Sequence, residues 1–541
     1  MTDTIADVVI VGAGSAGCVV ANRLSEDPSM QVLLLEAGVR GPSVLSDVPG
    51  LTMRLMGNPR MDWCHAAEPD PTLNGRTLTW HAGKMLGGGS GMNGLVYIRG
   101  LRRDYDAWAA AGCEGWAWND VVPFFRRAEH FEDGDLGSLG ASGPLSISRI
   151  SSPHEMTPRF IEACGQSGMP SIDDYNLGDR EGAFLNLTNQ RRGRRASTAS
   201  SYLLPAARRG NLRVIRGALA EKVLFDRDRA AGVRFQQGGS LHEVKARREI
   251  ILSAGTLQSP ALLLRSGIGP RSALEKLGIE ILVDAAGVGE NLQDHSGVMV
   301  GRFVNIPTYN SEMGPLNGIR HLANYLMFRR GPLASAAVQA MAWARSDASL
   351  AEPDIHINWF PFGVDYNATP PALHKRPCVS IGACISRPYA RGRVSLRSKN
   401  PRDPPLIQHR LLGDERDLAT LIRSLGVIDK VFRAPALATS VIGSAAPFDR
   451  DIGLADIVRI IRDSAGLGLH AVGTCRMGSD GGSVVDAALR VRGVSRLRVI
   501  DASVMPRLVS ANTNAASIMI AERGAALIRG AATAGLLGSV N

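Results

Sequence analysis

The chain has 541 residues, a formal net charge of +10 and a sequence pI of about 9.5. Hydrophobic residues make up 45% of it and charged residues 21%, values that exclude a disordered chain and predict a globular protein with a large core and two or more domains. The basic residues are dispersed. The densest run, RRGRR at 191–195, has no interleaved aromatic residue, so we expect a solvated face or the rim of an anionic-ligand site; a polymer-binding patch is the less favoured alternative, and no nucleic-acid partner is expected.

The seven cysteines, at positions 18, 64, 113, 164, 378, 384 and 475, show no CxxC spacing and no pairing pattern. Their odd, scattered distribution predicts reduced thiols in a cytoplasmic protein. No apolar run reaches the roughly 18 residues of a membrane-spanning helix, so no integral membrane segment is expected. The first predicted strand begins by about Asp7, which leaves no room for a secretory signal peptide.

The N-terminal segment ADVVIVGAGSAGCVVANRLSEDPSMQVLLLEAG predicts a nucleotide-binding βαβ unit. An apolar strand over 8–11 is followed by a G-x-G-x-x-G motif at 12–17, a helix over 18–24 and a second strand over 32–35. Gly12 permits the tight turn, Gly14 lets the backbone approach a pyrophosphate, and Gly17 lets the helix pack on the strand. The helix N-terminus supplies amide donors and the positive end of a dipole.

Glu36 ends the second predicted strand, where an acid accepts hydrogen bonds from a ribose diol. A carboxylate there would repel a 2′-phosphate, which argues against NADP. The extreme N-terminal position of the motif and the length of the chain favour a tightly held FAD over a diffusing NAD.

Later motifs extend along nearly the whole chain. In this order they resemble the signatures of the glucose–methanol–choline (GMC) oxidoreductases: MDWCHAAEPDPTLNGRTLTWHAGKMLGGGSGMNGLVYIRG (61–100), RRASTASSYLLPA (194–206), SAGTLQSPALLLRSGIGP (253–270), GVGENLQDH (287–295), HAVGTCRMG (470–478) and RVIDASVMPRLVSANTNAASIMIAE (498–522).

The resemblance implies a bound FAD, with the glycine-rich stretch KMLGGGSGMNGLVYIRG (84–100) passing along it; a glycine-rich surface turn is the alternative. Family members with covalent FAD carry a histidine where this chain has Met92, so non-covalent FAD is expected, and no metal is expected. The implied cofactor contacts are Gly12, Gly14, Ser15, Ala16, Gly17, Glu36, Ala37, Trp63, Met85, Gly88, Gly89, Ser90, Met92, Asn93, Gly94, Val96, Ala220, Ala254, Gly255, Leu469, Asp501, Ala502, Asn512 and Thr513.

His470 matches the family's catalytic histidine and Asn512 the asparagine that partners it. A neutral histidine can take the hydroxyl proton of an alcohol while hydride leaves the α-carbon for flavin N5, and an asparagine can orient the alkoxide without adding charge. A satisfied core histidine is the bland alternative. The helical pattern that follows Asn512 would begin at the pyrimidine edge of the flavin, where its dipole favours negative charge on the ring. A helix N-cap explains Asn514 equally well.

The predicted fold is α/β (α+β overall), with a Rossmann-like FAD-binding domain and a substrate domain built on an antiparallel sheet flanked by helices. The order of the motifs assigns residues 1–150, 190–300 and 464–541 to a discontinuous FAD-binding domain, and 151–189 and 301–463 to the substrate domain. Within the latter, strands are predicted in 353–363, 377–386 and 392–398, and an amphipathic helix over 414–437.

The expected reaction is FAD-dependent oxidation of a primary alcohol to an aldehyde, with O₂ or a quinone as electron acceptor. Choline enzymes of the family carry a glutamate where this chain has Gly297, and Leu469 precedes the catalytic histidine, so an apolar aliphatic or aryl alcohol is expected instead of choline. Gly468 is expected to leave space beside the flavin. A hydroxynitrile lyase, a fatty-acid photodecarboxylase and a non-catalytic flavin protein remain alternatives, and a homodimer is one expectation for assembly.

Overall fold

The computed structural model describes residues 4–178, 181–312, 314–365, 372–445, 447–448 and 453–530. Residues 531–541, the end of the third predicted flavin segment, lie outside the described residues. Helix accounts for 30% and strand for 27% of the structure, so the predicted mixed α/β class is confirmed. Among the helices that the structure describes, none is both long and apolar enough to cross a lipid bilayer.

The first sheet has seven strands and a parallel centre. Their spatial order is Leu212–Arg216, Val32–Glu36, Thr4–Val11, Ser240–Leu252, Arg229–Gln237 and Leu219–Asp226, with Leu497–Val499 also paired to Ser240–Leu252. The central pairs are parallel and bring Val9 between Leu33 and Ile250. Parallel strands are covered on both faces, which explains why every residue of Val32–Glu36 is buried.

Three helices cover this sheet and its loops. They span Ser15–Leu24, Gly255–Arg265 and Asn514–Ile528. The last of these is apolar on nearly all sides, as expected for a helix surrounded by protein. Its buried Glu522 pairs with Arg23 of the first helix at 2.8 Å, which ties the two ends of the chain together.

The second sheet also has seven strands, and all of its pairs are antiparallel. The order is Val441–Ser444, Ser296–Val304, Cys378–Ile385, Ile355–Phe360, Ala340–Ala344 and Gly182–Leu185, with Gly466–Leu467 also paired to Ser296–Val304. The helix Glu415–Arg433 packs on the central strand and is capped by Asp414, whose carboxylate accepts from the Arg416 amide. The strands predicted in 353–363 and 377–386 and the predicted helix are therefore present, with shorter bounds. The strand predicted in 392–398 is present as Arg393–Ser395, which pairs with Leu406–Gln408 outside this sheet.

Smaller elements connect the two sheets. The further helices are Val44–Asp47, Arg102–Ala110, Trp118–Ala128, Met156–Gln166, Leu204–Ala206, Arg271–Lys276, Pro315–Phe328, Pro435–Ala438 and Leu454–Ser464. The further strands are His65–Ala66, Thr79–Trp80, Val96–Tyr97, Glu129–Phe131, Leu145–Arg149, Leu187–Thr188, Gln190–Arg191, Arg194–Arg195, Ile268–Gly269, Val283–Asp284, Val364–Asp365, Ala372–Leu373, Arg393–Ser395 and Leu406–Gln408.

The two sheets are built from interleaved parts of the chain. Strands of the first sheet lie within 4–36, 212–252 and 497–499, and strands of the second lie within 182–185, 296–444 and 466–467. A discontinuous flavin domain requires such interleaving. The division at residues 150, 190, 300 and 464 stays a prediction, and the strand Ser296–Val304 runs through the boundary at 300.

Candidate active site

The turn after the first strand brings three glycines together for different reasons. A Cβ on Gly12 would lie 2.4 Å from the Ser253 carbonyl oxygen, and one on Gly17 would lie 1.8 Å from the Gly12 oxygen. Both positions therefore need glycine for close packing. A Cβ on Gly14, in contrast, would approach only the Ser253 oxygen, at 3.9 Å. The helix that starts at Ser15 has no side-chain cap, so its first amides are free to bind an anion such as a pyrophosphate.

Glu36 lies at the carboxyl end of its strand and is buried. One carboxylate oxygen accepts from the Ala13 amide at 2.8 Å and the other from the Gly38 amide at 2.7 Å. Burial raises the pKa of Glu36 to about 7, although these two amides oppose the shift. Each oxygen keeps a second lone pair, so the side chain can still accept from a ribose diol.

A cavity of about 260 Å³ runs from this turn along the sheet edge. Most of the residues predicted to contact the cofactor line this cavity. Those that line it are Gly12, Gly14, Ser15, Ala16, Glu36, Ala37, Trp63, Gly88, Gly89, Ala220, Ala254, Gly255, Leu469, Asp501, Ala502 and Thr513.

The glycine-rich loop crosses the first turn at very short distance. Gly88 has φ of +48°, and a Cβ there would lie 2.7 Å from the Gly14 Cα. Gly89 has no atom within 4 Å of its Cβ position and is open to the cavity. Ser90 Oγ donates to the Gly87 oxygen at 2.7 Å and fixes the loop. The glycine density thus serves backbone-to-backbone contact on one side and leaves room for a ligand on the other.

The other predicted cofactor contacts lie outside the cavity lining: Gly17, Met85, Ser90, Met92, Asn93, Gly94, Val96 and Asn512. The predicted catalytic residue His470 also lies outside it. Met85 and Met92 belong to a small buried cluster with Leu55 and Met61. Asn93 Oδ1 accepts from Arg195 Nη1 at 2.7 Å. Met85, Met92 and Asn93 thus hold the glycine-rich loop in the structure, and contact of all the residues outside the lining with a cofactor stays a prediction.

Several cavity residues escaped the sequence reasoning. Among them are His65, Trp80, His81, Ala82, Gly83, Thr256, Leu257, Gln258 and Arg265. All of these residues lie inside the signatures quoted at 61–100 and 253–270, so the sequence indicated the segments but not the individual residues. His65 and Trp80 face each other across a two-stranded pair, which no local pattern reveals.

Asp501 fixes the joint between the first sheet and the cavity. It is buried, and its carboxylate accepts from the Gly255 amide at 2.9 Å, Ser259 Oγ at 2.6 Å and the Ser503 amide at 2.8 Å. Burial raises the pKa of this carboxyl, and the hydrogen bonds oppose that shift. Asp501 therefore holds Gly255 and Ala502 in place at the cavity wall.

The helix Asn514–Ile528 starts one residue before the position that the N-cap interpretation requires. Thr513 is its N-cap residue, with no side-chain capping bond, and Asn514 is already helical. Asn514 Oδ1 accepts instead from Ser15 Oγ at 2.8 Å, so the N-cap interpretation of Asn514 is wrong. Because Thr513 and Ser517 line the cavity, the positive end of this helix faces the ligand space, as predicted.

His470 and Asn512 meet beside the cavity, because Leu469 and Ala471, the neighbours of His470 in the chain, belong to the cavity wall. Asn512 Nδ2 lies 2.8 Å from His470 Nε2. Leu469 has a left-handed backbone with φ of +61°. Asp294 holds it there, because its carboxylate accepts from the Leu469 amide at 3.1 Å and from the His470 amide at 2.6 Å. The residue pair predicted from motifs that lie 42 residues apart is therefore in direct contact.

A second histidine fixes the tautomer of His470. His295 Nε2 lies 3.1 Å from the carbonyl oxygens of both Ser386 and Val509, which can only accept, so this nitrogen carries the proton. His295 Nδ1 is then an acceptor for His470 Nδ1, at 2.9 Å. The remaining nitrogen of His470, Nε2, is left with a lone pair that faces the Asn512 amide.

The imidazoles of this site are held neutral. Burial lowers the pKa of His470 well below its ordinary value, and the neighbouring His295 adds to the shift. Burial likewise lowers the pKa of His295 to about 4. Among the described residues, no partner reaches the buried Oδ1 of Asn512. The site thus presents an unprotonated imidazole nitrogen, an amide donor and an unpaired amide acceptor to whatever enters.

At two glycines near the histidines, neighbouring atoms already occupy the space that a Cβ would need. A Cβ on Gly468 would lie 2.8 Å from the His295 Cβ and 3.0 Å from His470 Nδ1. No space is therefore free on the side of the Gly468 Cβ, because atoms of His295 and the His470 imidazole occupy it. The expected space beside the flavin stays a prediction. A Cβ on Gly297 would lie 2.6 Å from both Cys384 Sγ and the Ala383 oxygen, so a longer side chain at this position would not fit.

Asp62, Cys64 and His81 form a polar cluster with donor atoms within 4.8 Å of one another. The Asp62 oxygens already accept from the amides of Gly57, Cys64 and Ala82 and lie 2.5 Å from His81 Nδ1. Burial raises the pKa of Asp62, but these hydrogen bonds outweigh it and hold the pKa well below its usual range. The cluster is explained as a bracket for the loop, and the expectation of no metal stays a prediction.

Known proteins resemble this chain over most of its length. Two family models described as GMC oxidoreductase match residues 6–297 and 388–521. An uncharacterised GMC-type oxidoreductase of Mycobacterium tuberculosis is 40% identical over 537 residues, which cover 97% of this chain and 100% of the relative. An oxygen-dependent choline dehydrogenase of Brucella anthropi is 37% identical over 528 residues, which cover 97% of this chain and 96% of the relative.

A solved structure agrees with this relationship. Pyridoxine 4-oxidase from Mesorbium loti superposes with a TM-score of 0.88 at 31% identity, over 96% of this chain and 98% of that chain. The motif order, the glycine cradle and the sequence matches have one common explanation: the chain belongs to the GMC oxidoreductase family, whose cofactor is FAD.

Proposed function

We propose that this protein oxidises an apolar primary alcohol to an aldehyde with a non-covalently bound FAD. The observation that carries the proposal is the histidine pair, which leaves His470 Nε2 unprotonated beside the Asn512 amide, between Leu469 and Ala471 of the cavity wall. FAD, when bound, supplies the acceptor for a hydride. The chain must supply a base, an orienting group and a dry surrounding.

His470 is the proposed base. An alcohol that enters between the two side chains would donate its hydroxyl proton to His470 Nε2 and accept from Asn512 Nδ2. Loss of that proton places negative charge on the alcohol oxygen, which the Asn512 amide stabilises without a net charge of its own. His295 keeps the imidazole in the required tautomer, because its Nδ1 accepts from His470 Nδ1 throughout.

Non-covalent attachment is supported by the side chain at the linking position. Met92 is buried among Leu55, Met61 and Met85. A thioether has no acidic proton to lose and forms no stable bond to the flavin. The cradle itself fits FAD, since Gly14, Gly89 and Gly255 leave open space at their Cβ positions along the cavity.

The apolar substrate class is supported at two positions. Leu469 is 36% exposed and lines the cavity next to the base. At Gly297, where choline enzymes carry a carboxylate, the strand contacts Cys384 and Ala383 so closely that no acidic side chain fits. Although one relative is named a choline dehydrogenase, Gly297 of this chain supplies no carboxylate to bind a quaternary ammonium group.

Anaerobic mixing with alcohols tests the proposal. Long-chain aliphatic and benzylic alcohols should bleach the flavin absorbance near 450 nm on the order of tenfold faster than choline. A difference of this size is expected when one substrate makes an apolar contact that the other cannot make. A lyase or a photodecarboxylase would leave the flavin oxidised in the dark. Repeating the experiment with O₂ and with a soluble quinone then identifies the electron acceptor.

Free thiols at all seven cysteines support the proposed cytoplasmic location.

A further inference from the structure

The helix Pro315–Phe328 turns its apolar side outward. Leucine, isoleucine, methionine and phenylalanine recur at three- and four-residue spacing, which normally marks the buried side of a helix. Here these side chains are between 50% and 84% exposed. We call five of them the apolar helix face: Leu316, Ile319, Leu322, Leu326 and Met327. Phe328, the last residue of the helix, is also exposed but lies on the opposite side of the helix axis.

The opposite side of the same helix fixes this orientation. Tyr325 is buried in a small cluster with Val48 and Ala334. His321 Nε2 lies 2.9 Å from Glu312 Oε2, and the Arg329 guanidinium lies 4.6 Å from the centre of the Tyr325 ring. The helix is therefore anchored by its polar and aromatic side, and the apolar helix face is a stable surface of the fold.

Arginines surround the end of this face. The run RRGRR, which the proposed oxidation does not use, forms the tip of a hairpin over 190–195 that we call the arginine hairpin. A Cβ on Gly193 would lie 2.8 Å from the Arg329 Cβ, so the hairpin touches the C-terminal end of the helix. Arg192 and Arg330 are exposed there, and Arg320 is exposed on the helix itself.

Few acidic groups oppose this positive charge. The helix sequence PLNGIRHLANYLMF contains no aspartate or glutamate. Asp47 pairs with Arg194 at 2.7 Å, and Glu132 lies 3.7 Å from Arg191. Glu312 pairs with His321. Among the described residues, these three acids form the ion pairs found at the helix and the arginine hairpin. Exposed apolar residues beside unopposed arginines are typical of a helix that lies in the headgroup region of a membrane.

We propose that the apolar helix face and the arginine hairpin bind the surface of an anionic phospholipid bilayer. The apolar side chains would enter the boundary between headgroups and acyl chains, and the arginines would contact lipid phosphates. A second copy of the chain is a poorer occupant. In a two-fold interface the exposed Arg192, Arg320 and Arg330 of both copies would meet in one patch, and like charges there repel each other.

The surface also adjoins the cofactor loop. Gly50 packs against the Pro332 oxygen, since a Cβ there would lie 2.7 Å from it, so the segment Pro49–Arg54 rests on the turn after the helix. Arg195 of the arginine hairpin donates to Asn93 Oδ1 at 2.7 Å and to the Ser90 oxygen at 3.2 Å. Binding at this surface therefore takes place next to the loop that crosses the cavity.

Vesicle co-sedimentation of the full-length, FAD-loaded protein tests the proposal. Vesicles of equal parts phosphatidylcholine and phosphatidylglycerol should bind the protein, and vesicles of pure phosphatidylcholine should bind it much less. The double variant Leu322→Glu/Leu326→Glu should lower the partition coefficient at least about tenfold, because it places charge in the apolar boundary. The matched control Leu241→Glu/Ile442→Glu changes two equally exposed apolar residues elsewhere and should bind as the unchanged protein does.

The arginines are tested separately. Arg192→Gln and Arg330→Gln should each weaken binding about fivefold. Raising the salt concentration from about 0.05 M to about 0.5 M should remove most of the arginines' contribution to vesicle binding, because salt screens exposed charges. The proposal is overturned if the unchanged protein ignores the anionic vesicles, or if the helix variant and its control bind equally. It is also overturned if sedimentation velocity shows a dimer that only the helix variant breaks, with no vesicle binding.

Discussion

Replacing His295 is the sharpest way to test how the site prepares its base. His295→Leu removes the acceptor of His470 Nδ1–H, which lies 2.9 Å away. The lost hydrogen bond and the buried donor left without a partner together cost about 1.5–3 kcal/mol. Because that energy holds the productive tautomer, the rate of flavin reduction by an alcohol should fall about tenfold to a hundredfold.

His295→Asn is the matched control. Its Oδ1 can accept from His470 Nδ1 in place of the imidazole nitrogen, so most of the rate should return. Both variants lose the hydrogen bonds from His295 Nε2 to Ser386 and Val509, which makes them comparable in stability. Stopped-flow reduction under anaerobic conditions, divided by bound FAD, is the assay. Equal rates in the two variants would refute the proposed role of His295, because a packing defect affects both alike.

The pH dependence follows from the burial of His470, which lowers its pKa well below its ordinary value. Flavin reduction should rise with pH through an ionisation below about 6.5 and stay level at neutral pH; an inflection above 7 would contradict this. Glu36→Ala removes a charge-assisted acceptor worth about 1.5–3 kcal/mol, so FAD should dissociate roughly tenfold to a hundredfold more readily, and equilibrium dialysis measures this. Because Met92 forms no link, acid denaturation should release all FAD into the supernatant, and yellow precipitated protein would refute it. Asn512→Ala should slow reduction about tenfold to a hundredfold, less than loss of the base itself; an unchanged rate would remove Asn512 from the mechanism.

Local patterns predicted those parts of the fold that depend on neighbours in sequence. Gly12, Gly14 and Gly17 specify a strand, a turn and a helix within a few residues, and the structure shows the close backbone contacts that require them. Two strands of the second sheet, Ile355–Phe360 and Cys378–Ile385, are apolar runs that local pattern predicts. Bounds differ by a few residues because end residues depend on caps and on neighbouring strands.

Long-range pairs could not be predicted in this way. His295 and His470 are separated by 175 residues, and the pairing of Ser296–Val304 with Gly466–Leu467 helps to bring them together. The crowding at the Gly468 Cβ position could not be predicted for the same reason, because the atoms of His295 and His470 that fill it come from that contact. Periodicity also cannot tell which side of the helix Pro315–Phe328 faces the protein, because that side is decided by Tyr325 and its distant partner Val48.

The central claim is that His470 takes the proton of the alcohol, and one measurement tests it directly. His470→Ala should keep its FAD and its fold, and anaerobic stopped-flow reduction by a reactive alcohol, divided by bound FAD, should be about 10²- to 10⁴-fold slower than in the unchanged protein. A rate within about threefold of the unchanged protein, far less than removal of a general base would cause, would contradict the account.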